Sequence, residues 1–207
     1  PNMTTVSPQS IDGESGPRPL RITDMAALAE LLQKLGLQIR GSAHLPAHLY
    51  FGNLNQSETP LLTLFSSRKY LDQAAQLHGA IVVTTDELAP EIPPDNLLIL
   101  VPESPKTRFY DLLQHLCAAG LFESLASFIS PSARIHPRAF VDSQVYVDDL
   151  AIIGANAVVL ANTYVGKGCV IKPNATVGGD GFQAYTVAGR NSISVHAGGV
   201  WLGEGTP

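Results

Sequence analysis

Cysteine is scarce in this chain: its 207 residues hold only Cys117 and Cys169, with no CxxC spacing and no histidine cluster beside either. That excludes a disulfide scaffold and a zinc-finger type of site, and no metal-ligand set is expected. Two reduced thiols inside a cytoplasmic protein are the simplest expectation. Charge is sparse as well. Eighteen acidic residues against thirteen basic ones leave a formal net charge of -5, so no basic stripe is available to follow a phosphate backbone and nucleic acid is not an expected partner. No stretch approaches the roughly 18 apolar residues of a membrane span, and the N-terminus lacks the basic-then-apolar order of a secretory signal. What is present is a 45% hydrophobic content, enough to bury a substantial core in one large or two small domains.

Residues 1–19 are rich in Ser, Thr, Pro and Gly without a hydrophobic period and read as a flexible tail. A small α/β domain is expected over residues 20–122. Thr23 or Asp24 can cap a helix whose Leu28, Leu31, Leu32 and Leu35 share a face, with Gly36 as its stop. After a loop spanning Gly41 to Pro60, the strand-like run LLTLF turns at Ser66 and Ser67 into a helix that ends before Gly79. Ala80 to Thr84 and Asn96 to Val101 are apolar runs of strand length, and Ser104 with Pro105 opens a further helix. Strand and helix alternate, the pattern of an α/β layer fold. His44, His48, His78 and His115 are scattered through it without acidic or cysteine partners at ligand spacing.

Residues 123–207 carry a repeat. Stepping by six from Ile129 meets Ile135, Val141, Val147, Ile153, Val159, Val165, Ile171 and Val177, with a mostly small residue two places before and Gly154, Gly166 or Gly178 just after several of them. A helix cannot use a period of six, but a short strand, a turn and a corner can. Three hexapeptides make one triangular coil of a left-handed parallel β-helix, with every aliphatic pointing into the prism. Stacking at about 4.8 Å per coil sets Ile129, Val147 and Val165 on one wall, Ile135, Ile153 and Ile171 on the next, and Val141, Val159 and Val177 on the third. Three places after the aliphatic stand Asn156, Asn162, Gly168 and Asn174, residues that tolerate the positive φ of a corner.

After Val177 the beat stops at GGDGFQAYTVAGRNSISVHAGG and resumes at Val200 to Gly203. Loops between rigid coils are where solenoids place binding groups. Asp180, Gly181 and Phe182 offer a carboxylate, a flexible backbone and an aromatic ring, and His196 is the one histidine of the loop. The coil reads as incomplete where the chain reaches Pro207.

The order of a small α/β domain containing TLFSSRKYL, then hexapeptides, then a GGDGF loop followed by HAGGVWLG, resembles the UDP-3-O-acylglucosamine N-acyltransferase family of lipid A assembly, over roughly residues 20–207. The resemblance implies that the first domain holds the uridine of a UDP-linked amino sugar through an aromatic, an Asn and a Tyr in a segment like TFLxNPKY. The matching positions here are Leu64, Ser67 and Tyr70; the tyrosine is retained, and Arg68 replaces the proline, within reach of a phosphate. Asp180, Gly181, Phe182 and His196 are the implied substrate contacts of the inserted loop. The implied reaction is amide formation, in which a histidine base removes a proton from the sugar's 2-amino group, which then attacks the thioester of an acyl carrier protein. No residue of this chain matches that base, which the resemblance places beyond residue 207, so no catalytic residue is assigned. No tightly bound cofactor is implied, and a cytoplasmic homotrimer is. An acetyl-CoA-dependent sugar acetyltransferase and a non-catalytic trimeric module that binds a sugar nucleotide remain open as alternatives.

Overall fold

A computed structural model describes residues 20–181, 184–187 and 190–207. The tail expected over residues 1–19 and the expected contact Phe182 lie outside them. Two compact units are formed among the described residues, one by residues 20–123 together with Gly181–Ala197, the other by Ser124–Asp180 with Gly198–Pro207. No helix among the described residues is long and apolar enough to cross a membrane.

In the first unit, strand β1 (Leu20–Ile22) leads into helix α1 (Met25–Lys34). Of the two candidate caps it is Asp24 that serves, its carboxylate accepting from the Ala27 amide at 2.9 Å. Gly36 follows at φ +68°, as a stop requires. Then come β2 (Ile39–Arg40), β3 (Leu49–Phe51) and β4 (Leu61–Leu64). A 3-10 turn at Arg68–Tyr70 runs into the short helix α2 (Leu71–Ala74). β5 (Ile81–Thr84), a 3-10 turn at Ala89–Glu91, β6 (Leu97–Leu100) and helix α3 (Pro105–Ala118) complete it. These strands make a six-stranded sheet in the order β1-β3-β4-β5-β6-β2. The four inner strands run parallel, and β1 and β2 flank them antiparallel.

Alternation along the inner strands divides the core. Leu62, Ile81, Val83 and Ile99 face α1 and α3, where Leu28, Leu32, Leu112 and Leu116 are fully or almost fully buried and Phe51 stacks on Phe109 with ring centroids 4.2 Å apart. Leu61, Phe65 and Val82 face the other way, against Ala74, Leu77, Leu88 and Ile92. Each fully buried aliphatic side chain stabilises the unit by about 1.5–3 kcal/mol.

Two segments depart from the sequence reading. The stretch read as a loop from Gly41 to Pro60 contains β3, a strand too short to show a period, whose Tyr50 amide donates to the Pro60 carbonyl at 2.9 Å. The helix expected from Ser66 to Gly79 shrinks to α2. Gln76 and Leu77 donate to carbonyls three residues back, which tightens the turn and drops Leu77 into the core beside Ala74.

The second unit is built from strands of two or three residues. β7 (Phe128–Ile129), β8 (Arg134–Ile135), β9 (Phe140–Val141), β10 (Val145–Val147), β11 (Ile152–Ile153) and β12 (Val158–Val159) come first. β13 (Thr163–Val165), β14 (Val170–Ile171) and β15 (Thr176–Val177) follow. The hairpin strands β16 (Ala184–Val187) and β17 (Arg190–Ile193), which pair with each other, belong to the first unit, and the coil resumes at β18 (Trp201–Leu202). No strand of this length is stable alone. Stacked in parallel as β7-β10-β13-β18, β8-β11-β14 and β9-β12-β15, they form a β-helix in which each coil satisfies the backbone of the next.

The registers reproduce the three columns read from the sequence. Val147 pairs with Ile129 and Val165, Ile153 with Ile135 and Ile171, and Val159 with Val141 and Val177; Leu202 extends the first column above Val165. Asn156, Asn162, Gly168 and Asn174 all take positive φ, and Leu150, at φ 58°, occupies the same corner one coil below Gly168. One residue before the first column stand Phe128, Tyr146, Tyr164 and Trp201, side chains of the opposite face. Their ring centroids lie 4.9, 5.1 and 3.7 Å apart in succession. The Tyr164 hydroxyl donates to Asp148 at 3.0 Å, and burial together with that carboxylate raises its pKa well above the usual phenol range. At Gly199, where the chain re-enters the coil, a Cβ would lie 1.8 Å from the Asn162 carbonyl oxygen, so no larger residue fits without moving the backbone.

Candidate functional site

Ligands of open α/β sheets bind outside the carboxyl ends of the parallel strands. That edge carries a cleft of about 360 Å³ in the first unit. The loop after β3 brings Asn53, Leu54 and Asn55 to it, the end of β4 brings Leu64 and Ser66, the turn and short helix beyond bring Tyr70 and Gln73, and the start of α3 after β6 brings Lys106 and Tyr110. Among the described residues, two phenol rings, three side-chain amides, a hydroxyl and one ammonium line it, and no carboxylate does. A planar, hydrogen-bonding ring with an anionic substituent matches that inventory.

The segment predicted to bind substrate is only partly gathered there. Leu64 and Tyr70 line the cleft, with Tyr70 40% exposed and the Lys69 ammonium over its ring, 5.6 Å from the centroid. Ser67 is not among the lining residues; its hydroxyl caps the following turn by accepting from the Lys69 amide at 3.3 Å. Arg68, also outside the lining, is held by Glu91 at 3.1 Å and Glu87 at 3.3 Å. A neighbouring cleft of about 320 Å³ shares Leu54, Asn55 and Gln73 and adds Gln56, Gln76 and His78.

In the inserted segment, Asp180 is exposed, and Gly181 lies against the exposed His196. A Cβ on Gly181 would sit 2.5 Å from His196 Cε1, so the glycine is what lets the imidazole approach the backbone. Val195 and Ala197 on either side of the histidine pack against the apolar core of the first unit.

Asn53, Asn55, Lys106 and Tyr110 were missed by sequence reasoning. One signal was available for two of them: Lys106 and Tyr110 are four residues apart and therefore share a face of α3. The asparagines lie in the stretch read as a loop, and nothing in their spacing marks them. Cys117 and Cys169 are both unbridged. Burial raises the Cys117 thiol pKa, and Cys169 Sγ lies 2.8 Å from the Gly203 carbonyl oxygen, so neither has the exposed, electropositive setting of a nucleophile.

Comparison with known proteins agrees with the coil. Residues 149–179 match the family model described as bacterial transferase hexapeptide (six repeats), which supports the hexapeptide acyltransferase superfamily and an acyl or acetyl transferase activity. No curated protein matches the chain.

Proposed function

We propose that this protein is an acyltransferase, or part of one, that moves an acyl group from acyl carrier protein to the amino group of a UDP-linked amino sugar, as in lipid A type biosynthesis. The observation that carries this reading is the convergence of Leu64 and Tyr70 on a carboxylate-free cleft at the carboxyl edge of the sheet, in a chain whose residues 149–179 match a hexapeptide transferase model. In this reading residues 20–122 are the nucleotide-binding α/β domain, the coil is left-handed, and a homotrimer acts in the cytoplasm. Asp180, Gly181 and His196 of the inserted segment are substrate contacts in this reading.

In the reaction, the free amine attacks the thioester carbonyl, the new C–N bond forms, the C–S bond breaks and the carrier thiol leaves. A base must take the amine's proton, because an ammonium has no lone pair. Acyl-coenzyme A presents the same thioester and is the alternative donor.

Calorimetric titration with UDP-N-acetylglucosamine tests the substrate half of the proposal. Binding to the wild type is expected, and Tyr70→Ala should weaken it by about 1–3 kcal/mol, the value of one base-stacking face. Absence of binding to the wild type, or equal affinity in the variant, would remove the sugar-nucleotide reading.

A further inference from the structure

We propose that Lys106 and Tyr110 of α3 are nucleotide-binding residues, Lys106 receiving the phosphate of a nucleoside diphosphate and Tyr110 supplying an aromatic face opposite or beside that of Tyr70. The assignment rests on the reading of the cleft as a nucleotide site, and it names the residues that reading left out.

The argument begins with charge. Arg68, the cation in the segment first expected to reach a phosphate, holds two carboxylates, Glu87 and Glu91, and lies outside the cleft lining. On α3 the nearby acids are also occupied: Arg108 takes Glu103 at 2.6 Å and Asp111 at 3.2 Å. Lys106 is exposed and, among the described residues, forms no ion pair. Among the described residues it is the only cation lining the cleft.

Its position is also unfavourable for the helix. With Ser104 as N-cap and Pro105 at the first helical position, Lys106 stands in the first turn of α3, where the macrodipole disfavours a positive charge. No neighbouring carboxylate offsets this. A bound anion would, since it pairs with the ammonium and with the positive end of the helix together. A local rule broken without compensation inside a cleft is a mark of function.

Tyr110 follows Lys106 by one helical turn, so one helix face presents a ring and a cation to the same cleft. Leu64, at the wall of the cleft, offers no π face. Among the described residues, Tyr70 and Tyr110 are the two aromatics lining it, and stacking on such rings is tolerant of base identity.

The test is calorimetric titration of the whole chain with UDP, uridine and ADP, with circular dichroism checking that each variant is folded. Lys106→Gln should lower UDP affinity at least tenfold while changing uridine affinity less than twofold, and Lys106→Arg should recover most of the loss. Tyr110→Leu should weaken UDP and uridine alike by fivefold or more, with Tyr110→Phe within twofold of wild type. UDP affinity indifferent to Lys106→Gln, or a larger loss from Arg68→Gln, would overturn the assignment while leaving the UDP-sugar reading in place. Binding of ADP with the same Lys106 dependence, but none of UDP, would overturn the uridine-linked substrate and uphold Lys106. If neither nucleotide binds, both fall.

Discussion

The two units bury the same kinds of aliphatic side chain by opposite means. In the coil, each valine or isoleucine meets its counterpart one coil away, and the same step repeats wall after wall. In the sheet unit, neighbours come from unrelated distances along the chain: β2 crosses to pair with β6, and β1 reaches β3 across a helix and a strand. Regular packing makes a rigid scaffold with little room for variety. Irregular packing leaves loops of different lengths at the carboxyl edge of the strands, and the cleft is made of those loops.

Breaking the regular part should be the more damaging. Ile153 is 1% exposed between Ile135 and Ile171, so Ile153→Asp places an unpaired charge in the prism and should destabilise the coil by more than about 4 kcal/mol. Fluorescence of Trp201, the single tryptophan and a rung of the coil, reports this directly during denaturant unfolding. A transition unchanged from wild type would contradict the stacking.

In the sheet unit the comparable lesion is Phe109→Ala, which removes the ring stacked on Phe51 and opens a cavity among Leu112, Leu116 and the inner strands. Loss of about 3–5 kcal/mol is expected in the far-ultraviolet circular-dichroism transition. A loss under about 1 kcal/mol would contradict the close packing of Phe109 in this core.

Smaller changes probe the corners. Leu150 is 59% exposed and takes φ 58°, a conformation that Asn156, Asn162 and Asn174 adopt readily. Leu150→Asn should therefore stabilise the coil by about 1 kcal/mol, because a leucine in the left-handed region costs roughly that much and gives up little burial here. Thermal melting measures the gain, and a lower melting temperature would show that the leucine is making contacts worth more than its strain.

The smallest expected effect is on pH dependence. Asp149 accepts hydrogen bonds from Ser130 and Ser132, which hold its carboxyl below the usual carboxylate range. Because the folded pKa is the lower one, its contribution is fully present above the unfolded value of about 3.9 and is lost as pH falls through the folded value. Asp149→Asn should lower the coil's stability slightly at neutral pH, converge on wild type in acid and so flatten the limb below about pH 4. An unchanged acid limb would show that the two serines orient a turn without stabilising the charge.

The coil was legible because its contacts repeat at a fixed step. Ile129 to Val177 could be sorted into three walls by counting, and the asparagine corners followed from the same count. Leu150 escaped because a leucine does not advertise positive φ. In the sheet unit α1 was legible from Asp24, its leucine face and Gly36. β3 was not, since three residues carry no period and its place between β1 and β4 is set by partners far along the chain. The cleft divides in the same way: Tyr70 belongs to the segment singled out in the sequence, and the shared helical face of Lys106 and Tyr110 is legible from their spacing, but that this face reaches the same cleft is set by the sheet that carries α3.

The sequence by itself determined the repeat, its columns and its turn chemistry, because each depends on residues within one coil of each other. Only the tertiary structure decided that Arg68 is committed to Glu87 and Glu91, that Gly181 admits His196, and that loops after β3, β4 and β6 close on one cleft. Those facts depend on which side chains meet across long stretches of chain, and strand order in the sheet, which no local pattern encodes, is what brings them together.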